Sequence, residues 1–149
     1  GQELTVTTVE SCTGGLLAGR LVNVPGVSEV LKQGFVTYSN KAKRKLVGVK
    51  KATLRESGAV SEKTAREMAR GAVLATGADA AVAVTGIAGP DGAVEGKPLG
   101  TVWFGLADRD HVTATQFELS SDRNRKRDSA IRNALYMLRL SWLEKATHK

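Results

Sequence analysis

One cysteine, Cys12, two histidines and three prolines are all that this 149-residue chain holds of those types. A single cysteine excludes an internal disulfide and fits a reducing compartment. His111 and His148 are far apart and have only one thiol to join them, so no metal site and no cofactor is expected. Aromatic residues make up just 5%, too few for the stacking platform of a single-strand nucleic-acid binder. Long apolar runs are missing as well; the hydrophobic stretches are short and broken by Gly or polar residues, so no membrane span is expected. No charged-then-apolar leader opens the chain, and a cytoplasmic protein is the expectation. The first strand begins almost at once, which leaves a preceding helix outside the chain as an open alternative.

What is present is ordinary for a globular protein: 42% hydrophobic and 25% charged residues, in a length that buries one core. A single domain over residues 1–149 is expected. The net charge of +7 favours anionic partners, whether nucleic acid, phosphorylated metabolites or acidic surfaces. Basic residues cluster at Lys41–Lys51 and Arg123–Arg132, stretches that also read as solvated helix faces.

Leu4 to Val9 alternates and is β-branched, as a buried strand is. Helical spacing follows over Leu16–Val22, stopped by Pro25-Gly26. Gly34–Tyr38 reads as a second strand, and Ser39 or Asn40 could cap a helix carrying Lys41–Leu46. A helix from Ser61 to about Ala75 shows one apolar face. Asp79–Thr85 reads as a central strand. After a Gly-rich loop, Gly86–Gly100, the strands Thr101–Ala107 and Val112–Leu119 pair as a hairpin across Asp108-Arg109-Asp110. A last helix is expected from about Arg123 to Leu143. The alternation predicts a three-layer α/β/α sandwich with a mixed, mostly parallel sheet.

Three stretches could carry chemistry. Glu10-Ser11-Cys12-Thr13-Gly14-Gly15 lies at a strand-to-helix turn, where α/β sheets place their ligands and a helix start offers unpaired N–H groups. Ser11 there would have donors nearby for an oxyanion; a polar turn in which Ser11 or Thr13 merely caps the helix is the plain alternative. A serine nucleophile needs a base. Neither histidine falls near this turn, which leaves a desolvated lysine, Lys41 or Lys43. Cys12, lacking a histidine partner, reads as a small buried filler. The second stretch, Thr85-Gly86-Ile87-Ala88-Gly89-Pro90, leaves the carboxyl end of the central strand and should lie beside Ser11. It fits neither phosphate-loop pattern. The third, Asp122 to Arg127, offers arginines at a helix start, suited to phosphate.

Glu10-Ser11-Cys12-Thr13-Gly14-Gly15, Tyr38-Ser39-Asn40-x-x-Lys43, Gly58-Ala59-Val60-Ser61, Thr85-Gly86-Ile87-Ala88-Gly89-Pro90 and Lys97-Pro98-x-Gly100-Thr101-Val102 occur in this order. Together they resemble the CinA C-terminal domain family over about Leu4–Leu138. Its stand-alone members are nicotinamide-nucleotide amidases. The resemblance implies an α/β/α sandwich that self-associates as a dimer or larger homo-oligomer. It also implies hydrolysis of nicotinamide mononucleotide to nicotinic acid mononucleotide and ammonia by a Ser–Lys pair. It assigns Ser11 as nucleophile, selects Lys43 over Lys41 as base, and gives Tyr38 the task of orienting either. Thr13, Gly14, Gly15, Thr85 and Gly86 would line the substrate, with Arg123 and Arg127 on its phosphate. Two departures fall near those arginines: Ser121 stands where glycine is usual, and Lys126 where an aliphatic residue is. Two other readings stay open, a non-catalytic phospho-ligand or nucleic-acid accessory domain and an amidase for another substrate. Of these partners, nucleic acid is not the expected one.

Overall fold

The computed structural model describes residues 4–87, 97, 100–118, 125, 127–135 and 139. β1 (Val6–Glu10) turns into α1 (Leu16–Leu21), and a single 3-10 turn precedes β2 (Leu31–Val36). Three helices follow, α2 (Asn40–Val47), α3 (Lys51–Ser57) and α4 (Glu62–Thr76). The chain then forms β3 (Ala80–Gly86) and the hairpin β4 (Thr101–Asp108) and β5 (Val112–Glu118). Residues 127–135 are helical and are called α5. The rest of the expected helix over 123–143, the segment 88–96 and Leu119 lie outside the described residues, apart from Arg125 and Arg139, which are also helical.

All five strands form one sheet in the order β2-β1-β3-β4-β5. β1 pairs in parallel with β2 and β3, while β3–β4 and β4–β5 are antiparallel, so β4 alone runs against the others. β1 and β3 lie inside the sheet, with every β1 residue and all but the last of β3 buried. Such strands read as near-continuous apolar runs, which is why Asp79–Thr85 was legible. Helices cover both faces and make three layers. On one face Val47, Val49 and the Met68, Ala69, Ala72, Val73 stripe of α4 pack on Val9, Ala81, Ala83 and Ala107. On the other, Leu17 of α1 and Ala130, Ile131 and Ala134 of α5 pack on Val82, Val84, Val102 and Phe104.

Two expectations need correction. The second strand is Leu31–Val36, not Gly34–Tyr38. It is an edge strand with four of its six residues exposed, so Lys32 and Gln33 belong to it although they break the apolar pattern. α3 was not foreseen at all: only Thr53 of its seven residues is buried, and one inward residue makes no periodic stripe. No helix among the described residues is long and apolar enough to cross a membrane.

Candidate active site

β1 delivers Ser11 to the carboxyl end of the sheet. Neighbouring strands hold the chain on both sides of it: Ser11 N donates to Val84 O at 2.9 Å and Thr37 N to Glu10 O at 2.7 Å. The chain then turns sharply, with Gly14 N donating to Ser11 O at 3.0 Å. Gly14 and Gly15 have φ of 59° and 103°, left-handed values that an L side chain resists. Among the described residues, no backbone carbonyl receives the N–H of Cys12, Thr13 or Gly15. Donors are therefore available within four residues of the Ser11 hydroxyl.

Lys43 comes from α2. Ser39 caps that helix, its Oγ accepting from Ala42 N at 3.0 Å, so of the two candidate caps Ser39 is the one used. Only Lys43 and Val47 of α2 are buried, whereas Lys41 is exposed. Lys43 is 1% exposed, and its Nζ donates to Ser11 Oγ at 3.0 Å and to Thr37 O at 2.7 Å. Burial lowers its pKa from 10.5 to about 8, against a smaller upward pull from Cys12. An amine so placed gives up its proton near neutral pH, as a base for serine must.

Cys12 lies next to this pair but is tuned the other way. Burial pushes its thiol up to about 11; its own N–H, Arg127 and Lys43 partly offset that rise, and Glu10 adds to it. A thiol with that pKa stays protonated at neutral pH and is a poor nucleophile. Its packing against Val82, Val84 and Leu17 matches the filler reading. His111 sits at the opposite end of the sheet, beside Asp108, which is in register with the first residue of β3. It is therefore remote from Ser11.

The remaining candidates fall in different places. Thr85 is buried, and its hydroxyl donates to Ala59 O at 2.8 Å, tying the loop ahead of α4 to β3. A Cβ on Gly86 would stand 3.2 Å from Cys12 Sγ, so this glycine abuts the Ser11 turn. Arg127 also reaches that turn: a Cβ on Gly14 would stand 3.1 Å from its Nη2. Its Nε is buried and has no hydrogen-bond partner among the described residues. Tyr38 follows Thr37 directly and is 60% exposed. Arg123 lies outside the described residues. No cluster of three or more His, Cys, Asp or Glu suited to a metal occurs among the described residues.

Two participants carried no role from sequence. Thr37 acts through its carbonyl, which no side-chain pattern signals. Glu10 is fully buried, and its carboxylate accepts from Thr13 Oγ1, Leu17 N and Ala18 N at 2.7, 2.7 and 3.1 Å. The signal was present: a charged residue ending an otherwise buried strand, before a helix whose cap, Gly15, has no side chain.

Fold and site together define a three-layer α/β protein with a buried serine–lysine contact at the carboxyl end of its parallel strands. The CinA C-terminal domain matches residues 1–142. The chain belongs to that family. It is 50% identical over 142 residues to a putative competence-damage inducible protein of Clostridium novyi, covering 95% of this chain and 34% of that protein. A CinA-like protein of Kosmotoga olearia is 48% identical over 140 residues, with 94% and 34% covered. The chain thus spans about a third of the length of the curated relatives it matches. Among solved structures, the competence/damage inducible protein CihA of Agrobacterium tumefaciens superimposes with a TM-score of 0.88 at 47% identity, covering 91% of this chain and 83% of that one. The CinA superfamily protein of Escherichia coli gives 0.88 at 39%, with 91% and 78% covered.

Proposed function

We propose that this chain is an amidohydrolase that converts nicotinamide mononucleotide and water to nicotinic acid mononucleotide and ammonia. The observation that carries the reaction class is the 3.0 Å contact between Lys43 Nζ and Ser11 Oγ, made by a lysine whose pKa is lowered to about 8. Neutral Lys43 takes the Ser11 proton as Oγ attacks the carboxamide carbon. The N–H groups of Thr13 and Gly15 receive the negative charge on the carbonyl oxygen. Lys43 returns the proton to the leaving nitrogen, and ammonia departs from an acyl-serine. Lys43 then accepts a proton from water, whose oxygen attacks the ester, and passes that proton to Ser11 Oγ as the acyl–oxygen bond breaks and nicotinic acid mononucleotide leaves. Thr37 O keeps the Lys43 side chain directed at Ser11 through both halves of the cycle, and Tyr38, next in the chain, would orient either group. Thr85 and Gly86 would line the substrate.

The family resemblance supports the substrate, and so does Arg127. Its guanidinium stands beside Gly14 with a buried Nε that has no hydrogen-bond partner among the described residues, and with Arg123 it would hold the 5′-phosphate. The deciding assay is ammonia release from nicotinamide mononucleotide by the wild type and Ser11→Ala. Release by the first and none by the second is expected. A folded wild type that releases none would end the proposal, and equal release from unphosphorylated nicotinamide would move the substrate elsewhere.

One observation favours a second reading, a nucleic-acid accessory role. Residues 40–76 contain ten Lys or Arg against three Asp or Glu, whereas the rest of the chain balances at twelve each. Nine of those ten cations are exposed on the α2–α3–α4 layer. Duplex DNA retention that falls steeply with salt, and is lost in Lys50→Glu/Lys51→Glu, would support that role.

A further inference from the structure

The buried carboxylate of Glu10 has no part in the bond-making steps, yet it holds the turn on which they depend. Its two oxygens accept from the Thr13 hydroxyl and from the amides of Leu17 and Ala18. Those amides are the second and third of α1, and Gly15 makes no side-chain cap to them. A strand residue therefore does from a distance what a local Ser or Asp does at an ordinary cap. Three donors and the positive end of the helix meet the oxygens of this fully buried side chain in place of water.

The same residue reaches the other half of the pair through its main chain. Glu10 O accepts from Thr37 N, and Thr37 O accepts from Lys43 Nζ. Between Glu10 and α1 the chain passes through Gly14 and Gly15, the two most permissive residues of the turn. Among the described residues, Gly14 N to Ser11 O and Leu16 N to Thr13 O are the backbone bonds within that passage, and Gly19 N to Gly15 O ties its end to α1. Without the carboxylate, the amides of Leu17 and Ala18 lose their acceptor and the Thr13 hydroxyl its anchor.

We propose that Glu10 is a positioning residue of the reaction: its carboxylate clamps the start of α1, and so holds the N–H groups of Thr13 and Gly15, which no backbone carbonyl among the described residues receives, in one geometry beside Ser11. This rests on the serine amidohydrolase reading. A small displacement of preorganised donors costs rate without costing substrate affinity, because those donors meet charge only as it develops.

Glu10→Gln tests this with an isostere. The amide oxygen still accepts from Thr13 and Leu17, but the NH2 group meets the Ala18 N–H donor to donor. The expected result is a loss of about 10–100-fold in kcat for nicotinamide mononucleotide, with KM within roughly twofold. Labelling of Ser11 by a fluorophosphonate should slow by a similar factor. Glu10→Asp keeps the charge but withdraws it by one methylene; it should lose kcat in the same way, and it serves if the glutamine variant does not fold. A folded variant with lowered Tm but wild-type kcat and labelling rate would mean that Glu10 serves stability alone, and would overturn the proposal. A wild type that neither releases ammonia nor takes up the label would overturn the amidohydrolase reading and this inference with it. Wild-type activity with an undiminished Glu10→Gln would remove this inference only.

Discussion

At the residue scale, one buried environment drives two neighbouring titratable groups, Lys43 and Cys12, to opposite protonation states. Removing water disfavours whichever form is charged. Lys43 therefore tends toward the free amine and Cys12 toward the thiol, while Glu10 is supplied with three donors in place of water. If neutral Lys43 is the base, kcat/KM should climb about tenfold per pH unit below 8 and level off above it. A profile flat from pH 6 to 9 would exclude Lys43 from that role. Lys43→Arg, which cannot deprotonate, should lose at least about 10²-fold in kcat. Stability carries a second signature. Between pH 8 and 10.5 the unfolded chain holds a proton that folded Lys43 has released, so the unfolding free energy rises with pH across that window. Below 8 both states are protonated, and the cost of the buried ammonium is felt in full. Urea midpoints at pH 7.5 and 9.5 should therefore differ more for the wild type than for Lys43→Met.

At the scale of elements, small residues let the layers close enough for the site to form. α4 presents Ala65, Ala69 and Ala72 to the sheet, and it meets α2 at Gly71, where a Cβ would collide with the Val47 carbonyl oxygen. Alanine is favoured over glycine in a helix by about 1 kcal/mol. Here the obstacle is backbone, which cannot rotate aside, so overpacking should prevail. Gly71→Ala is expected to destabilise the fold by about 1–3 kcal/mol, read as a lower urea midpoint. A rise in the midpoint would show that α2 and α4 can separate freely. Observed turnover should fall in proportion to the fraction unfolded.

At the scale of the whole molecule, one sheet serves two cores, and β3 links them by alternation: Ala81 and Ala83 to one, Val82 and Val84 to the other. Phe104 is a large side chain of the second core, fully buried and edge-on to Phe117 with ring centroids 5.2 Å apart. Phe104→Ala should cost about 3–5 kcal/mol and lower Tm by roughly 10 °C. If the layers unfold as one unit, tryptophan fluorescence and far-UV circular dichroism should show the same midpoint in that variant; separate transitions would show two independent cores. Charge is divided as well. The α2–α3–α4 layer carries the entire excess of cations, which is a property of the surface and not of the fold.

The sequence by itself determined the strongly periodic and strongly buried parts. The apolar run of β3, the stripe of α4, the hairpin and the Ser11 turn were legible because each is encoded by residues near one another. β2 and α3 were not, since an edge strand and a surface helix bury too little to impose a pattern. The separation of Lys41 from Lys43 likewise waited on the tertiary structure, or on family resemblance, because only the direction in which α2 packs decides which ammonium loses its water. The Ser11–Lys43 contact spans 32 positions, and Glu10 caps a helix seven and eight residues away. Those relations depend on how strands and helices stack, and no local propensity records them. Residue type and spacing specified the parts of this site, and desolvation by the assembled layers decided their chemistry.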